Sequence, residues 1–547
     1  MMGYKGLSDY IVRLVVPITI GMLLMFIILT IIGLPLITTM IAFLAGMSII
    51  FFYPMITQEK IKADINQNLH FFITYAGTIA TMKVSRDVLF KRIAEKQSFG
   101  EISKVAEKIR YLAKEWNMGF SLACRKIGEM VPSKILADFF DRFAVMMDFG
   151  QDLEVFLLEE QDSIMDDYET EYKKSLENIK MVETVFTSLT VALSFLIAIA
   201  LLMPLLMEMS MELIVRYALL GVIFVDILLL TIVKAAVPND KIAHTMKIKS
   251  EGMKKMEKVF LIIFPLTITL LLGMIIFSPL PIMVNIAIGI SPMMIIGVYA
   301  RNEEENIKTR DNTYPTLIRT LGSAIEARSG GVVSALYSLR VHHFGLMDPL
   351  VLGLYRRLRI GSDKIKAWSY FSGESGSHMI HHFTRIFSEA IYLGGKAEKI
   401  GEILAKNFYR ILALRKQRLH LASALRGAMY GSLIGLTTTV YMSAQIANIL
   451  ANIFTQPLGE NVEMDIIVAG LVPEIAIADM ATVSIYIGIM VIVHAFISTW
   501  AVNMVDGGMK LFFFDFIIMI WIGALISVVV PMLTGYMMPT LGLEGFT

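Results

Sequence analysis

Residues 34–66 read LPLITTMIAFLAGMSIIFFYPMITQEKIKADIN, and residues 280–312 read LPIMVNIAIGISPMMIIGVYARNEEENIKTRDN. Each begins at Leu-Pro, stays apolar for about 20 residues, which is what a helix needs to cross a bilayer, and then turns abruptly into charge. The two stretches lie 246 residues apart. At that offset Leu34-Pro35 matches Leu280-Pro281, Tyr53 matches Tyr299, Ile61-Lys62 matches Ile307-Lys308, and Asn66 matches Asn312. A membrane span that feeds a polar domain is therefore written twice.

The register persists outward. Gly77 matches Gly322 at 245, Arg142 matches Arg385 at 243, and Gly150-Gln151 stands opposite Gly394-Gly395 at 244. Nine segments read as spans: 14–32, 36–55, 185–207, 213–233, 259–277, 282–300, 427–454, 482–504 and 511–538. The first lies behind Lys5 and Arg13 like a signal peptide, but the second follows after only Gly33-Leu34-Pro35, so the pair reads as a membrane hairpin. The repeated unit is hairpin, polar domain, hairpin, with the ninth span left over. An even number of spans per unit gives both copies one orientation, so these are parallel repeats. The expected partition is a hairpin over 1–56, a domain over 57–180, a hairpin over 181–234, a basic connection over 235–258, a hairpin over 259–300, a domain over 301–426, a membrane region over 427–538 with an outer loop at 455–481, and a tail over 539–547.

Of 547 residues 56% are hydrophobic and 18% charged, and the mean hydropathy is +0.64. That excludes a soluble enzyme, a disordered chain and a free nucleic-acid binder. A single cysteine, Cys124, excludes a disulfide scaffold and a cysteine metal site. The net charge of +1 hides an uneven distribution. Residues 57–180 hold 18 Lys/Arg against 21 Asp/Glu, whereas residues 301–426 hold 20 against 11, a net +9. The connection at 234–258 has seven Lys against three acids, and 455–481 has five acids with no Lys or Arg. Basic connections stay in the cytoplasm. The expected topology is a multi-pass protein of the cytoplasmic membrane, with the N-terminus and both domains inside and the C-terminus outside.

Both domains read as all-α. Ile102, Val105, Ile109, Leu112 and Trp116 share one helix face, as do Ile400, Ile403, Leu404, Phe408, Ile411 and Leu412. No catalytic, cofactor or metal site is expected. Gly394-Gly395-Lys396-Ala397 resembles part of a phosphate loop but has Ala390 where the first glycine belongs and no hydroxyl after the lysine. His378, His381 and His382 share a face one turn after Glu374, and a polar or partner-facing cluster is preferred there over a zinc site. Asp226 lies inside the fourth span, where an acid is by default a candidate intramembrane polar site; a helix–helix hydrogen bond is preferred to an ion relay. With His494, Asp515, Asn285 and Asn503 it makes a thin case for a transporter, and a sensor with an acidic outer loop is thinner still. Arg410, Arg415, Lys416, Arg418 and Arg426 run into the seventh span, and topology and lipid headgroups account for them. Arg356, Arg357, Arg359, Lys364 and Lys366 lie more than 55 residues from either neighbouring span. They are the candidate docking patch for an acidic partner.

The whole chain resembles the type II secretion F-domain family, the inner-membrane platform proteins of type IV pilus-like machines. In the second domain Ile318-Arg319-Thr320-Leu321-Gly322, Ala327-Arg328-Ser329-Gly330-Gly331 and Ala335-Leu336 look like the family's glycine turn and following helix, and Arg385-Ile386-Phe387 through Leu393-Gly394-Gly395 look like its second half. In the first domain Met82-Lys83-Val84-Ser85 stands where glycine is expected. Two such domains bracketed by hairpins, with a ninth span, resemble the archaeal branch, above all the platforms of the archaellum (the archaeal flagellum). The resemblance implies a non-enzymatic scaffold that binds a hexameric cytoplasmic secretion ATPase and archaellin or pilin-like filament subunits, with an archaeal pilus or type II secretion platform as the alternative. Membrane lipids are expected partners, a homodimer is compatible with this plan, and nucleic acid is not expected.

Overall fold

A computed structural model describes residues 36–205, 210–238, 240–327, 331–455, 480–508 and 512–540, without the side chains of 36–56, 97, 205, 452–455 and 537–540. Among them the structure is all-α, and the only extended pairing is a single antiparallel bridge between Ala243 and Ser377. Among the described residues six helices are long and apolar enough to cross a membrane, and a seventh span is a pair bent by 47°. These fall on the third to ninth expected spans. The expected span at 14–32 and residues 456–479 of the expected loop lie outside the described residues, and 480–481 already belong to the following helix.

The chain forms two compact units, Met1–Tyr168 with Tyr392–Lys396, and Glu169–Ile391 with Ala397–Thr547. In the first, α1 (Leu36–Ala80) is followed by α2 (Arg86–Ala94), α3 (Glu101–Lys114), α4 (Phe120–Gly128), α5 (Lys134–Phe149) and the start of α6 (Leu153–Ala200). Each boundary has a local cause. The hydroxyls of Ser85 and Ser133 accept the N–H of Val88 and Leu136, and Asp64 Oδ2 accepts that of Glu101 at 2.7 Å. Gly150 ends α5 at φ 70°, a conformation that glycine adopts without strain. Phe72, Phe90, Phe139, Phe143 and Phe156 form the buried core.

The second unit holds the rest of α6, then α7 (Met211–Ala236), α8 (Glu251–Phe277), α9 (Ile282–Ile290) and α10 (Met293–Glu326). After these come α11 (Gly331–Leu339), α12 (Asp348–Arg359), α13 (Lys364–Ser375), α14 (His378–Tyr392), α15 (Ala397–Thr455), α16 (Met480–Asp506) and α17 (Phe512–Thr540). The bent span is α9 with α10, interrupted at Ser291-Pro292, because proline lacks the N–H that would continue the ladder. Where α10 meets α17 a Cβ on Gly297 would stand 2.7 Å from the backbone nitrogen of Phe514, so this crossing requires glycine.

The helices repeat as the sequence does. Those starting at Arg86, Glu101, Phe120, Lys134 and Leu153 recur at Gly331, Asp348, Lys364, His378 and Ala397, at offsets of 245, 247, 244, 244 and 244. The packing repeats too. A Cβ on Gly77 would crowd Gln161 and approach the Leu157 carbonyl, and one on Gly322 would crowd the Ala397 carbonyl and Gly401. Leu157 and Gly401 are themselves 244 apart, so one helix crossing has been built twice.

Candidate functional site

The short segment between α7 and α8 is threaded onto the second domain. The Ile242 carbonyl accepts the His378 N–H at 3.0 Å, the His244 N–H donates to the Gly376 carbonyl at 3.1 Å, and His244 Nε2 lies 2.7 Å from the Gly373 carbonyl oxygen. Its Asp240 meets two arginines of α15, Arg415 and Arg418. Arg415 donates to both Asp240 oxygens, with Nε 2.9 Å from Oδ2, and its Nη1 reaches Asp311 Oδ2 on α10 at 2.8 Å. Arg418 donates to the Asp240 carbonyl at 2.6 Å and to the Asp506 carbonyl, at the end of α16, at 3.1 Å. Arg426 binds Asp506 at 2.9 Å and Asp515 of α17 at 2.8 Å, and Tyr430 donates to Asp515 at 3.0 Å. Gly507 makes room for this: at φ 72° its Cβ would stand 2.4 Å from Arg418 Nη2. A neighbouring set links the start of α8 to α10, as Ser250 donates to Glu303, which pairs with Arg310 at 3.1 Å.

Arg415 and Arg418 are 1% and 0% exposed. The reading of these arginines as topological signals is therefore corrected: buried charge is costly unless paired, and here each guanidinium donates to acids or carbonyls. Burial alone would raise Asp240, but Arg415 and Arg418 outweigh it and hold the carboxyl below the usual range. For Asp311 burial wins, against Arg415 and the Ser377 hydroxyl, and pushes it up to about 6. Burial lowers Arg415, yet Asp240 and Asp311 more than restore it, so it stays charged. His378 and His381 are each pushed down to about 4, chiefly by burial, and His244 is lowered for the same reason. His378, His381 and His244 thus favour neutral rings at the junction, and the His378 and His382 centroids lie 4.6 Å apart. Among the described residues no group of three or more His, Cys, Asp and Glu is placed to hold a metal.

The first domain shows what the junction adds. There Ser133, ahead of α5, donates to Asn66 Oδ1 at 2.6 Å; in the second domain Ser377, ahead of α14, donates to Asp311. By role Asn66 corresponds to Asp311, not to Asn312 as the sequence match suggests. The partner position of Arg415, 244 residues earlier, is Glu171. One copy has a neutral cap and the other a buried ion pair.

Asp226 finds its partner inside the membrane region. Its Oδ1 is 2.9 Å from His494 Nδ1 on α16, and His494 Nε2 is 3.3 Å from Ser432 Oγ on α15. The order is that of a hydrolase relay. However, Asp226 and His494 are 1% exposed, and the Ser432 proton is directed at the Met429 carbonyl, 2.9 Å away. The group can fasten three spans together; it is not arranged to attack a substrate. Of the docking residues, Arg356 and Arg359 are exposed at the end of α12, and Lys364 and Lys366 at the start of α13. Arg357 is half-buried, paired with both oxygens of Glu374 and lying 4.9 Å over the Tyr370 ring.

The type II secretion system protein F family matches residues 72–204. This is the first domain, the copy that departs from the expected glycine turn. Lys83 stands there at φ 52° and makes the left-handed turn that glycine would make. The chain is 32% identical over 493 residues to the flagella accessory protein J of Methanocaldococcus jannaschii, covering 88% of this chain and 87% of that one. The chain belongs to the flagella accessory protein J family. A second member, from Methanococcus voltae, is 28% identical over 493 residues, 88% of each chain. No solved structure matches the chain. Within this family frame the sequence missed Asp240, Asp311 and His244. Asp240 was visible as one of three acids in a lysine-rich connection; nothing marked its partner 175 residues away.

Proposed function

We propose that this chain is the membrane platform of a type IV pilus-like machine, the archaellum, and that it works as a coupling scaffold. A hexameric cytoplasmic secretion ATPase docks on the second domain at Arg356, Arg359, Lys364 and Lys366, with Arg357 holding the patch in shape through Glu374. Motion passes along α15 and through the ionic junction to the spans, where archaellin or pilin-like subunits join the filament. The observation that carries this reading is the continuity of α15. One helix of 59 residues leaves the second domain, places Arg418 and Arg426 on the ends of α16 and α17, and enters the membrane. A displacement of the domain cannot leave those span ends in place without breaking buried ion pairs.

The test separates docking from coupling. Exposed charge pairs are worth about 0–1 kcal/mol each and are screened by salt. Changing Arg356, Arg359, Lys364 and Lys366 together to Glu is therefore expected to abolish ATPase binding to the membrane-embedded protein, while wild-type binding weakens as salt rises. Unchanged binding at low salt, with normal expression, overturns the docking assignment. Asp311→Asn is expected to keep ATPase binding and to lower filament assembly.

A further inference from the structure

In the first unit a cavity of about 500 Å3 opens between the start of α2, the α3–α4 turn and the end of α5. Met118, Phe120 and Met147 line it with apolar surface, and Arg86 and Arg125 supply charge. Arg125 is bonded to Asp148, whereas Arg86 pairs with no carboxylate among the described residues. The neighbouring Asp87 is shared by Arg110 at 3.2 Å and Lys114 at 2.7 Å. Arg86, Arg110, Lys114 and Arg125 thus face Asp87 and Asp148, a local excess of cations in a domain whose total is −3. Beside the cavity Leu122 is 52%, Val145 44% and Phe149 85% exposed. Val145 and Phe149 are one turn apart on α5, and the Ser121 hydroxyl, next to Leu122, reaches the Ala144 carbonyl at 3.3 Å. An apolar patch therefore adjoins a cationic rim on a surface that should otherwise be solvated.

We propose that this cavity is a second docking site, which takes an acidic amphipathic protein segment. An apolar side chain enters between Met118, Phe120 and Met147, its neighbours cover Leu122, Val145 and Phe149, and an adjoining carboxylate meets Arg86. Charge complementarity selects an acidic occupant. The recess between Met118, Phe120 and Met147 selects a protruding side chain over a lipid headgroup layer, and Asp148 on the rim disfavours a uniformly anionic surface. The repeat places the site. Helix α4 starts at Phe120 and α13 at Lys364, 244 residues later, so the cavity holds in the first domain the position that Lys364 and Lys366 hold in the second. Neither the site nor the chemistry of its occupant rests on the ATPase reading.

The experiment uses the full chain in nanodiscs, carrying the four second-domain changes to Glu so that the other patch is silent. The probe is a fluorescein-labelled synthetic helix with Leu and Phe on one face and Glu on the other, and the control carries Lys in place of Glu. Fluorescence anisotropy is expected to show salt-sensitive binding of the Glu probe and at least about tenfold weaker binding of the Lys probe. Arg86→Glu is expected to cost about tenfold as well. As a second readout, maleimide labelling of Leu122→Cys should slow when the Glu probe is present; the native Cys124 is buried and gives little background. Equal binding of the two probes, or unchanged binding in Arg86→Glu, overturns the proposal. So does shielding of Leu122→Cys by anionic nanodisc lipid alone, which makes the surface a lipid contact. ATPase binding by the four-residue variant is measured separately, so either reading can fail without the other.

Discussion

Asp311 is the residue on which the junction turns, because there the second domain puts a charge where the first keeps the amide of Asn66. Asp311→Asn restores the arrangement of Asn66: the Ser377 hydroxyl keeps an acceptor, and Arg415 keeps both oxygens of Asp240. The expected loss is about 1.5–3 kcal/mol, that of a hydrogen bond to a charged group. Arg415→Met instead strands two buried carboxylates and should cost about 3–5 kcal/mol. Thermal unfolding in detergent checks the order, and equal losses would show that Arg415 is held mainly by Asp311. Acid unfolding adds a sign. With its carboxyl raised to about 6, Asp311 binds more protons folded than unfolded between its ordinary value near 3.8 and 6, so its contribution to stability falls as pH rises through that window. His378 and His381 act oppositely. They stay neutral down to about 4 while the unfolded rings charge near 6.5, so their contribution is present above 6.5 and is lost as pH falls toward 4. His378→Gln should therefore move the acid midpoint to lower pH and Asp311→Asn to higher pH. The charged types at these positions were legible in the sequence; their pairing was not, since ion pairs between residues more than 100 positions apart leave no periodicity to read.

At the scale of elements the sequence was most legible, because span length and helical period are local properties. The third to ninth spans fall where the apolar runs predict them, and the domain helices follow their amphipathic stripes. Legibility stopped where helices meet. Gly322 and Gly401 were visible as glycines, but only the packed helices show why each is small. The Asp226–His494 bond is the same kind of case. The α7 and α16 helices start at Met211 and Met480, 269 residues apart, and Asp226 and His494 are 268 apart. Near-equivalent positions of the two repeats thus meet face to face, as helices related by a repeat axis along the membrane normal would. Polar bonds between spans average about 0.6 kcal/mol and reach about 1.7. A double-mutant cycle of Asp226→Ala and His494→Ala, read by thermal unfolding in detergent, should give a coupling near the upper end, because both groups are buried and the bond continues to Ser432. Asp226→Asn should recover most of the loss, since an amide can still pair with the ring. Additive single losses would mean that the two side chains do not stabilise one another.

At the scale of the whole molecule, duplication was readable because it is a property of the sequence against itself, whereas the division of labour between the copies is a property of their surfaces. The two domains share a helix order and a glycine crossing, so the difference between −3 and +9 is not demanded by packing. In the structure the second joins the α7–α8 connection through Asp240 and His244, and the first keeps an uncharged cap. The same connection bears on topology. Its bonds to Gly373, Gly376 and His378 put it on the same side of the spans as the second domain. It is the most lysine-rich of the short connections, and lysine-rich connections remain inside. Residues 455–481 carry five acids and no Lys or Arg, and they follow α15 after one crossing, so they should lie outside. In whole cells a cysteine replacing Glu463 should react with a membrane-impermeant thiol reagent, and one replacing the half-buried Ser362 should react only after the membrane is permeabilised. Cys124 gives no competing signal in intact cells, since its side chain is buried. The reverse pattern would place the basic patch outside the cell, where no cytoplasmic ATPase could reach it, and would remove the docking role together with the orientation.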